Sequence, residues 1–550
     1  MPKSLTLKGL IFHKTFLFLV ALLAVCAFAF VLLATEIGHG LPYNYDPDEP
    51  IYWLWAMLIR NTGSAASEQG GGYPPGFLFL LIVEQVIIEA FRGNAIRNAD
   101  YFLAARYVNI TFAVAAVFLS GLSIRRIASS SFAGLLAALA LSLNPVFISE
   151  SRRAAANAPW MFFTILCLWL ALVAYSRQSH KLFYASVIAG LISILFKYQS
   201  APILLFPFWQ AIRCYWQNKK QLVTHFSVMG GICLLTLLWL VFGYHIAEIV
   251  NTPASATRAV VDRQSILEFT SFWSNFRLIY NELGKDSWLY TTIVGFLAMI
   301  GLSLWKKNGG DWHSIVLLLA FYIAFHLLMS LFYSAASSKW LPVITFLLFL
   351  WSMGISSITY LLAEVIGVML RKSSFYLNVT AALVVIAFTA LPYLRSNFEG
   401  WQSTIMYLRK THTLVALGNW FMPNVPEGGR TVVEGTHPFN YYAGFPGRKI
   451  YHAAVVDSLL DESIEAYRTR GYEFLIWTSI KTPKPDQLPD IESLKYQEYF
   501  RNSQETVRFT DGQYRGNDVV VFKIKPIQQH IRYLWFTPAI SFRGYDLNKE

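Results

Sequence analysis

Three carboxylates crowd into four residues of this chain. Asp46, Asp48 and Glu49 lie in the run Leu41-Pro42-Tyr43-Asn44-Tyr45-Asp46-Pro47-Asp48-Glu49-Pro50-Ile51-Tyr52-Trp53, among aromatic side chains and just after an apolar block. Asp48 also suits the cap of a helix, with Glu49 near its positive end and Pro50 in its first turn. The stripe Ile51, Leu54, Trp55 and Leu58 would continue that helix. The two readings are compatible, because a carboxylate fixed at a helix start is well held to accept a proton.

Cations complete the pattern. Asn144-Pro145 opens a stretch that runs through Glu150, Ser151, Arg152 and Arg153 to Asn157. Lys197-Tyr198-Gln199 separates two apolar blocks, Lys339-Trp340-Leu341-Pro342 repeats that arrangement, and Arg106 falls one or two turns inside the end of its block. Each cation alone also fits a solvated helix end with its stem on apolar surface. Together they place Arg106, Arg152, Arg153, Lys197 and Lys339 at one membrane face beside the acidic cluster, a setting suited to an anion such as phosphate. No metal site is expected, since the 11 histidines are scattered and no HExxH, CxxC pair or EF-hand loop occurs. No P-loop or GxGxxG supports a nucleotide, and no cofactor is expected. Asn109 and Asn378 begin glycosylation sequons within apolar blocks and read as noise.

The elements that must position these residues are membrane helices. Of 550 residues, 55% are hydrophobic and only 14% charged, against about 25% charged in soluble domains. That balance excludes a disordered chain, a collagenous chain and an ordinary soluble enzyme. The net charge of +12 comes largely from short clusters between apolar blocks, which points to membrane topology and away from nucleic acid. The first block, 16–37, is too long for a signal peptide and reads as a retained span with a cytoplasmic N-terminus. Blocks at 100–124, 131–149, 158–176, 182–196, 199–213, 226–246, 287–304, 313–333, 340–370 and 375–394 bring the expectation to about eleven spans.

Clusters such as Arg125-Arg126, Lys306-Lys307 and Arg371-Lys372 all fall on the cytoplasmic side only if block 76–91 is left out. That block carries Glu84 and Glu89 and reads as a helix along the outer surface. The outer loop 38–98 then carries the acidic motif, and a second outer loop runs over 247–286. From residue 395 the composition changes. The β-type runs Thr431–Val433, Phe474–Trp477 and Val519–Phe522 suggest a small α/β or α+β extracytoplasmic domain over 395–550, after a membrane domain over 1–394.

The order of these features resembles the GT-C superfamily of membrane glycosyltransferases, in the branch of protein O-mannosyltransferases and aminoarabinose transferases. Pro47-Asp48-Glu49 comes first, followed by Tyr73-Pro74-Pro75 and Ala105-Arg106. Asn144-Pro145 with Ser151-Arg152, Phe196-Lys197-Tyr198 and Lys339-Trp340-Leu341-Pro342 complete the series. Two positions depart from the family pattern: Asn157 stands where Asp is frequent, and Lys339-Trp340 where Arg-Tyr is frequent.

The resemblance implies a mainly α, polytopic fold and transfer of a sugar from a polyprenyl-phosphate donor to an acceptor hydroxyl, with inversion at the outer face of a bacterial inner or plasma membrane. It implies Asp48 as base, with Glu49 positioning it or the acceptor. Asp46, Arg106, Arg152, Arg153, Lys197, Tyr198 and Lys339 would then bind donor or acceptor, and the acceptor would be a glycan, lipid or protein. Two alternatives are a polytopic transporter and an oligosaccharide ligase or polymerase with a diphosphate-linked donor.

Overall fold

The computed structural model describes residues 7–41, 48–62, 74–92, 98–243, 312–333, 337–369, 390–426, 429–434, 453–456, 458–478, 503–510 and 518–525, with 380, 384, 499, 501, 513 and 514 besides. The chain divides into two compact units, one of residues 1–415 with 441–445, the other of 416–440 with 446–550. The change of unit falls at Val415, later than the 394/395 boundary expected from composition.

The second unit holds a five-stranded sheet in the order β2-β1-β3-β5-β4. Its strands are β1 (Thr431–Glu434), β2 (Ala453–Val456), β3 (Phe474–Thr478), β4 (Ser503–Phe509) and β5 (Val519–Ile524). β1 pairs in parallel with β2 and β3, while β5 runs antiparallel to β3 and β4. Val432, Leu475, Trp477, Val520 and Phe522 pack with Leu459, Ile464 and Tyr467 into its core. Three of these strands are the β-type runs read from the sequence.

The first unit is helical. Its elements are α1 (Leu7–Ala34), α2 (Asp48–Thr62), α3 (Pro75–Arg92), α4 (Asn98–Ala128), α5 (Ser131–Leu143), α6 (Pro145–Ser151), α7 (Asn157–Arg177) and α8 (His180–Phe196). After a 3-10 helix, Tyr198–Leu204, come α9 (Leu205–Tyr215), α10 (Lys219–Leu238), α11 (Trp312–Tyr333), α12 (Ser337–Met369) and α13 (Leu391–Arg409). α13 belongs to this unit: Trp401 Nε1 donates to the Leu32 carbonyl at 3.3 Å, and Arg409 pairs with Glu36 at 3.2 Å.

Among the described residues, five helices are long and apolar enough to cross a membrane, or six if a bent pair counts as one span. The chain is therefore a mainly helical, multi-pass membrane protein. The expected eleven spans are not reached within the described residues, and block 287–304 lies outside them. Block 199–213 resolves into the 3-10 helix followed by α9. Block 131–149 is the bent pair, α5 and α6, meeting at 63°. Pro145 forces Asn144 out of helical geometry, and the Asn144 side chain accepts from the Phe147 N–H at 3.0 Å, so one residue ends α5 and starts α6.

Small residues let the bundle close. A Cβ on Gly134 of α5 would lie 2.5 Å from the Gly121 carbonyl of α4, so only glycine permits that crossing. Gly76 does the same at the start of α3, where a Cβ would stand 2.9 Å from the Leu195 carbonyl near the end of α8.

α3 carries two unlike faces. Phe77, Leu78, Leu81, Glu84 and Gln85 are buried, while Phe79, Val83, Val86, Ile87 and Phe91 are exposed. Such a helix suits the plane of a bilayer surface. Glu89, near its end, is held by Arg60 of α2 through both carboxylate oxygens, and the guanidinium keeps that carboxyl below its ordinary range. Glu84 differs: burial pushes its carboxyl up to about 8. A carboxyl raised in the folded state costs nothing at acid pH, where it is neutral folded or unfolded. The cost grows as pH climbs from the unfolded carboxylate range toward 8. Glu84→Gln should therefore raise the melting temperature of the detergent-solubilised protein at pH 8 and leave it nearly unchanged at pH 4.5, as followed by tryptophan fluorescence.

Candidate functional site

The acidic motif opens α2, as its sequence suggested. Asp48 is the first residue of that helix, and its side chain, like all of Asp46, lies outside the described residues. Glu49 is described and fully enclosed. Its carboxylate meets Arg106 of α4 side-on, Nε to Oε1 at 2.9 Å and Nη2 to Oε2 at 2.8 Å, with both side chains buried. The third guanidinium nitrogen, Nη1, donates to the carbonyls of Ile37 and His39 at 2.8 Å each. Those carbonyls lie in the turn that follows α1, where Glu36 and Gly40 take positive φ. One arginine thus joins the end of α1, the beginning of α2 and the body of α4.

A second fastening brings in the turn between α6 and α7. The Ala154 N–H donates to Glu49 Oε1 at 2.6 Å. Asn109, one helical turn beyond Arg106 on the same face of α4, donates its amide to the Ala155 carbonyl at 2.7 Å and also to that of Arg153. Arg152, buried, donates to the Thr35 carbonyl. The carbonyls of the turn just past α1 are thereby met by two arginines, the charge sign that a helix C-terminus favours. Arg153 is turned outward, its side chain 40% exposed and 3.8 Å from Glu150.

Asn157 makes sense of one departure from the family pattern. Its amide donates to Glu150 Oε2, and both residues are buried. An Asp at 157 would set two carboxylates against each other, whereas the amide satisfies Glu150.

Lys197 caps α8 in extended conformation, and its Nζ lies 4.7 Å from the centre of the Trp160 ring, a cation–π contact. Trp160 stands in the first turn of α7, directly after the Arg152–Ala156 turn. The Trp160 carbonyl accepts from Thr164 at 2.8 Å and from Ser193 at 3.3 Å, which draws the ends of α7 and α8 together. Tyr198, half-buried, begins the 3-10 helix. Lys339 is in the first turn of α12, its side chain outside the described residues.

The structure therefore gathers Glu49, Arg106, Arg152, Arg153 and Lys197 at one end of the helical unit, with the backbone of Asp48 among them. Arg106, expected to bind substrate, instead spends all three guanidinium nitrogens on protein acceptors. Its setting is that of a brace for Glu49. Three contributors escaped sequence reading. Asn109 was set aside as part of a sequon, although its i+3 spacing from Arg106 marks the shared face. Glu150 lay in the Asn144–Asn157 stretch but was given no role, and Trp160 carried no motif at all. Among the described residues, no three His, Cys, Asp or Glu side chains converge as metal ligands would.

No family model matches the chain. An uncharacterized protein of Aquifex aeolicus is 34% identical over 95 residues, which span 17% of this chain and 19% of that protein. The chain is also similar to ArnT from Cupriavidus metallidurans in the apo state, at 11% identity and a TM-score of 0.49 over 93% of this chain and 98% of that one. The archaeal oligosaccharyltransferase AglB from Archaeoglobus fulgidus matches at 11% identity and a TM-score of 0.48, over 90% of this chain and 74% of that one.

The Glu49–Arg106 pair sets a direct expectation. Removing one member of a buried pair strands the other charge, at a cost of about 3–5 kcal/mol. Glu49→Leu and Arg106→Leu should each lower the melting temperature sharply. Arg106→Lys should fall in between, because an ammonium keeps the charge but cannot span Glu49 and two carbonyls at once.

Proposed function

We propose that this chain is an integral-membrane glycosyltransferase that moves a sugar from a polyprenyl-phosphate donor to an acceptor hydroxyl. The observation that carries the reading is the fastening of two segments by one carboxylate. Glu49, next to Asp48, is tied both to Arg106 and to the Ala154 N–H. The start of α2 is thereby held against the turn that bears Arg152 and Arg153. A proton acceptor and a group of cations at one end of a membrane bundle meet the needs of this reaction class.

The chemistry follows from the donor. A phosphate is a good leaving group, so no general acid is required. In this reading Asp48 takes the proton from the acceptor hydroxyl as its oxygen attacks the anomeric carbon. Attack comes opposite the phosphate, the carbon–oxygen bond to phosphate breaks, and configuration inverts through an oxocarbenium-like state. The lipid phosphate departs as an anion whose growing charge is met by nearby cations. Lys197 and Arg153 are the described candidates for that contact, with Lys339 a third. Arg152 lines the same turn, while Tyr198 and Asp46 are assigned to the sugar or the acceptor. Arg106 is a positioning residue that acts through Glu49. The charge rule sets this end of the bundle on the outer face, with the N-terminus in the cytoplasm and the second unit outside.

Mass spectrometry of polyprenyl-phosphate sugars from cells with and without the protein tests the reading, since loss of the transferase should make one lipid-linked sugar accumulate. Asp48→Asn should accumulate the same species at normal protein levels, with transfer reduced by about two to four orders of magnitude. A wild-type lipid profile in cells carrying only Asp48→Asn would remove that carboxylate from the mechanism.

A further inference from the structure

The end of the helical unit away from the acidic motif has a charge pattern that the site does not use. Asn109 of α4 meets the turn before α7. From there both helices run about twenty residues, roughly 30 Å at 1.5 Å per residue, before they end. α4 ends with Arg125 and Arg126 in its last turn, and α7 ends at Arg177. α8, α9 and α10 join α7 at this level, where Phe183, Ala211, Tyr215 and Met229 share one core with Ala174. Segments 121–133, 173–184 and 210–224, which form this end, bring seven Lys and Arg and no Asp or Glu. Five of those cations, Arg126, Arg177, Lys181, Lys219 and Lys220, are exposed. Among the described residues, no carboxylate pairs with any of the five.

Helix polarity accounts for only part of this. The arginines at the ends of α4 and α7 face the negative pole of their helices, which favours them. Lys181 is the second residue of α8, and Lys219 and Lys220 are the first two of α10. There a cation meets the positive pole, which disfavours it, and neither first turn holds an acid that would offset the charge. Loop charge bias explains why such lysines share one side of a membrane, but it asks for no particular lipid. Three lysines set against the dipole on a face without carboxylates call for an anion from outside the chain.

Depth names its source. Trp216 caps α9 in the short turn before α10 and is 59% exposed, with Lys219 Nζ 3.6 Å from its ring centre. Beyond the lysines, α10 turns Val223 and Val228 outward. An exposed indole and lysines at the end of an apolar span belong to the headgroup layer, and the anions of that layer are phospholipid phosphates.

We propose that this end of the helical unit is a binding surface for anionic phospholipid headgroups, in the leaflet opposite the acidic motif. Lys181, Lys219 and Lys220 hold them together with Arg126 and Arg177. The surface uses no residue of the transfer site and stands apart from the reaction proposed above.

Native mass spectrometry of the purified full chain, given equal amounts of phosphatidylglycerol and phosphatidylcholine, tests this. The wild type should retain phosphatidylglycerol in preference, and less of it as salt is raised. The triple variant Lys181→Gln, Lys219→Gln, Lys220→Gln should lower that preference about tenfold. The matching triple with Arg keeps the charge and should retain the lipid as the wild type does. If the glutamine triple does not fold, the pair Arg126→Gln, Arg177→Gln reads the same loss. An unselective wild type, or a glutamine triple with undiminished preference, would overturn the proposal. So would a preference lost with Arg153→Gln, Lys197→Gln and kept by the triple, since the anion would then sit at the other end.

Discussion

A carboxylate and a guanidinium out of water are each costly alone and tolerable only when every donor and acceptor is met. Glu49 and Arg106 satisfy that condition with no slack. The guanidinium gives two nitrogens to the carboxylate and the third to two carbonyls, and the carboxylate takes a backbone N–H in addition. Because these groups come from α1, α2, α4 and the turn before α7, burial of one ion pair obliges four segments to meet. Much of the arrangement at this end of the bundle follows from that obligation.

The neighbouring interactions extend the same logic. Carbonyls of the turn after α1 are met by Arg106 and Arg152, and carbonyls of the Arg152–Ala156 turn are met by Asn109. Polar backbone that no helix can satisfy is otherwise excluded from membrane depth. Here side chains from the bundle make irregular backbone tolerable, which lets Asp48 stand at a helix start and Arg153 on a turn rather than deep in helices. The bend at Asn144-Pro145 serves the same end by turning the chain out of α5 and into the short α6 that delivers this turn.

Lys197 illustrates a different physical device. Its charge rests over an indole, a contact that stabilises an ammonium. The close approach of Gly76 to Leu195 then brings the start of α3 beside the cap where Lys197 sits. In this way Pro74-Pro75 and the Phe196-Lys197-Tyr198 motif, over a hundred residues apart, come to adjoin.

Period, length and charge alone determined that this is a polytopic helical protein, that a helix opens at the acidic motif, that another covers block 76–91, and that strands lie at Thr431, Phe474 and Val519. Those features depend on local apolar pattern and capping, which a linear chain displays in full. That Arg106, Arg152, Arg153 and Lys197 fall near the ends of their apolar blocks was legible for the same reason. What each charge does was not. Whether Arg106 meets a ligand or Glu49, and whether Asn157 is a lost acid or the partner of Glu150, are questions of distance between remote segments. A hydrogen bond is decided within a few tenths of an ångström. Spacing along the chain carries no information at that scale once helices cross, and only the packed bundle decided which of these groups answer one another.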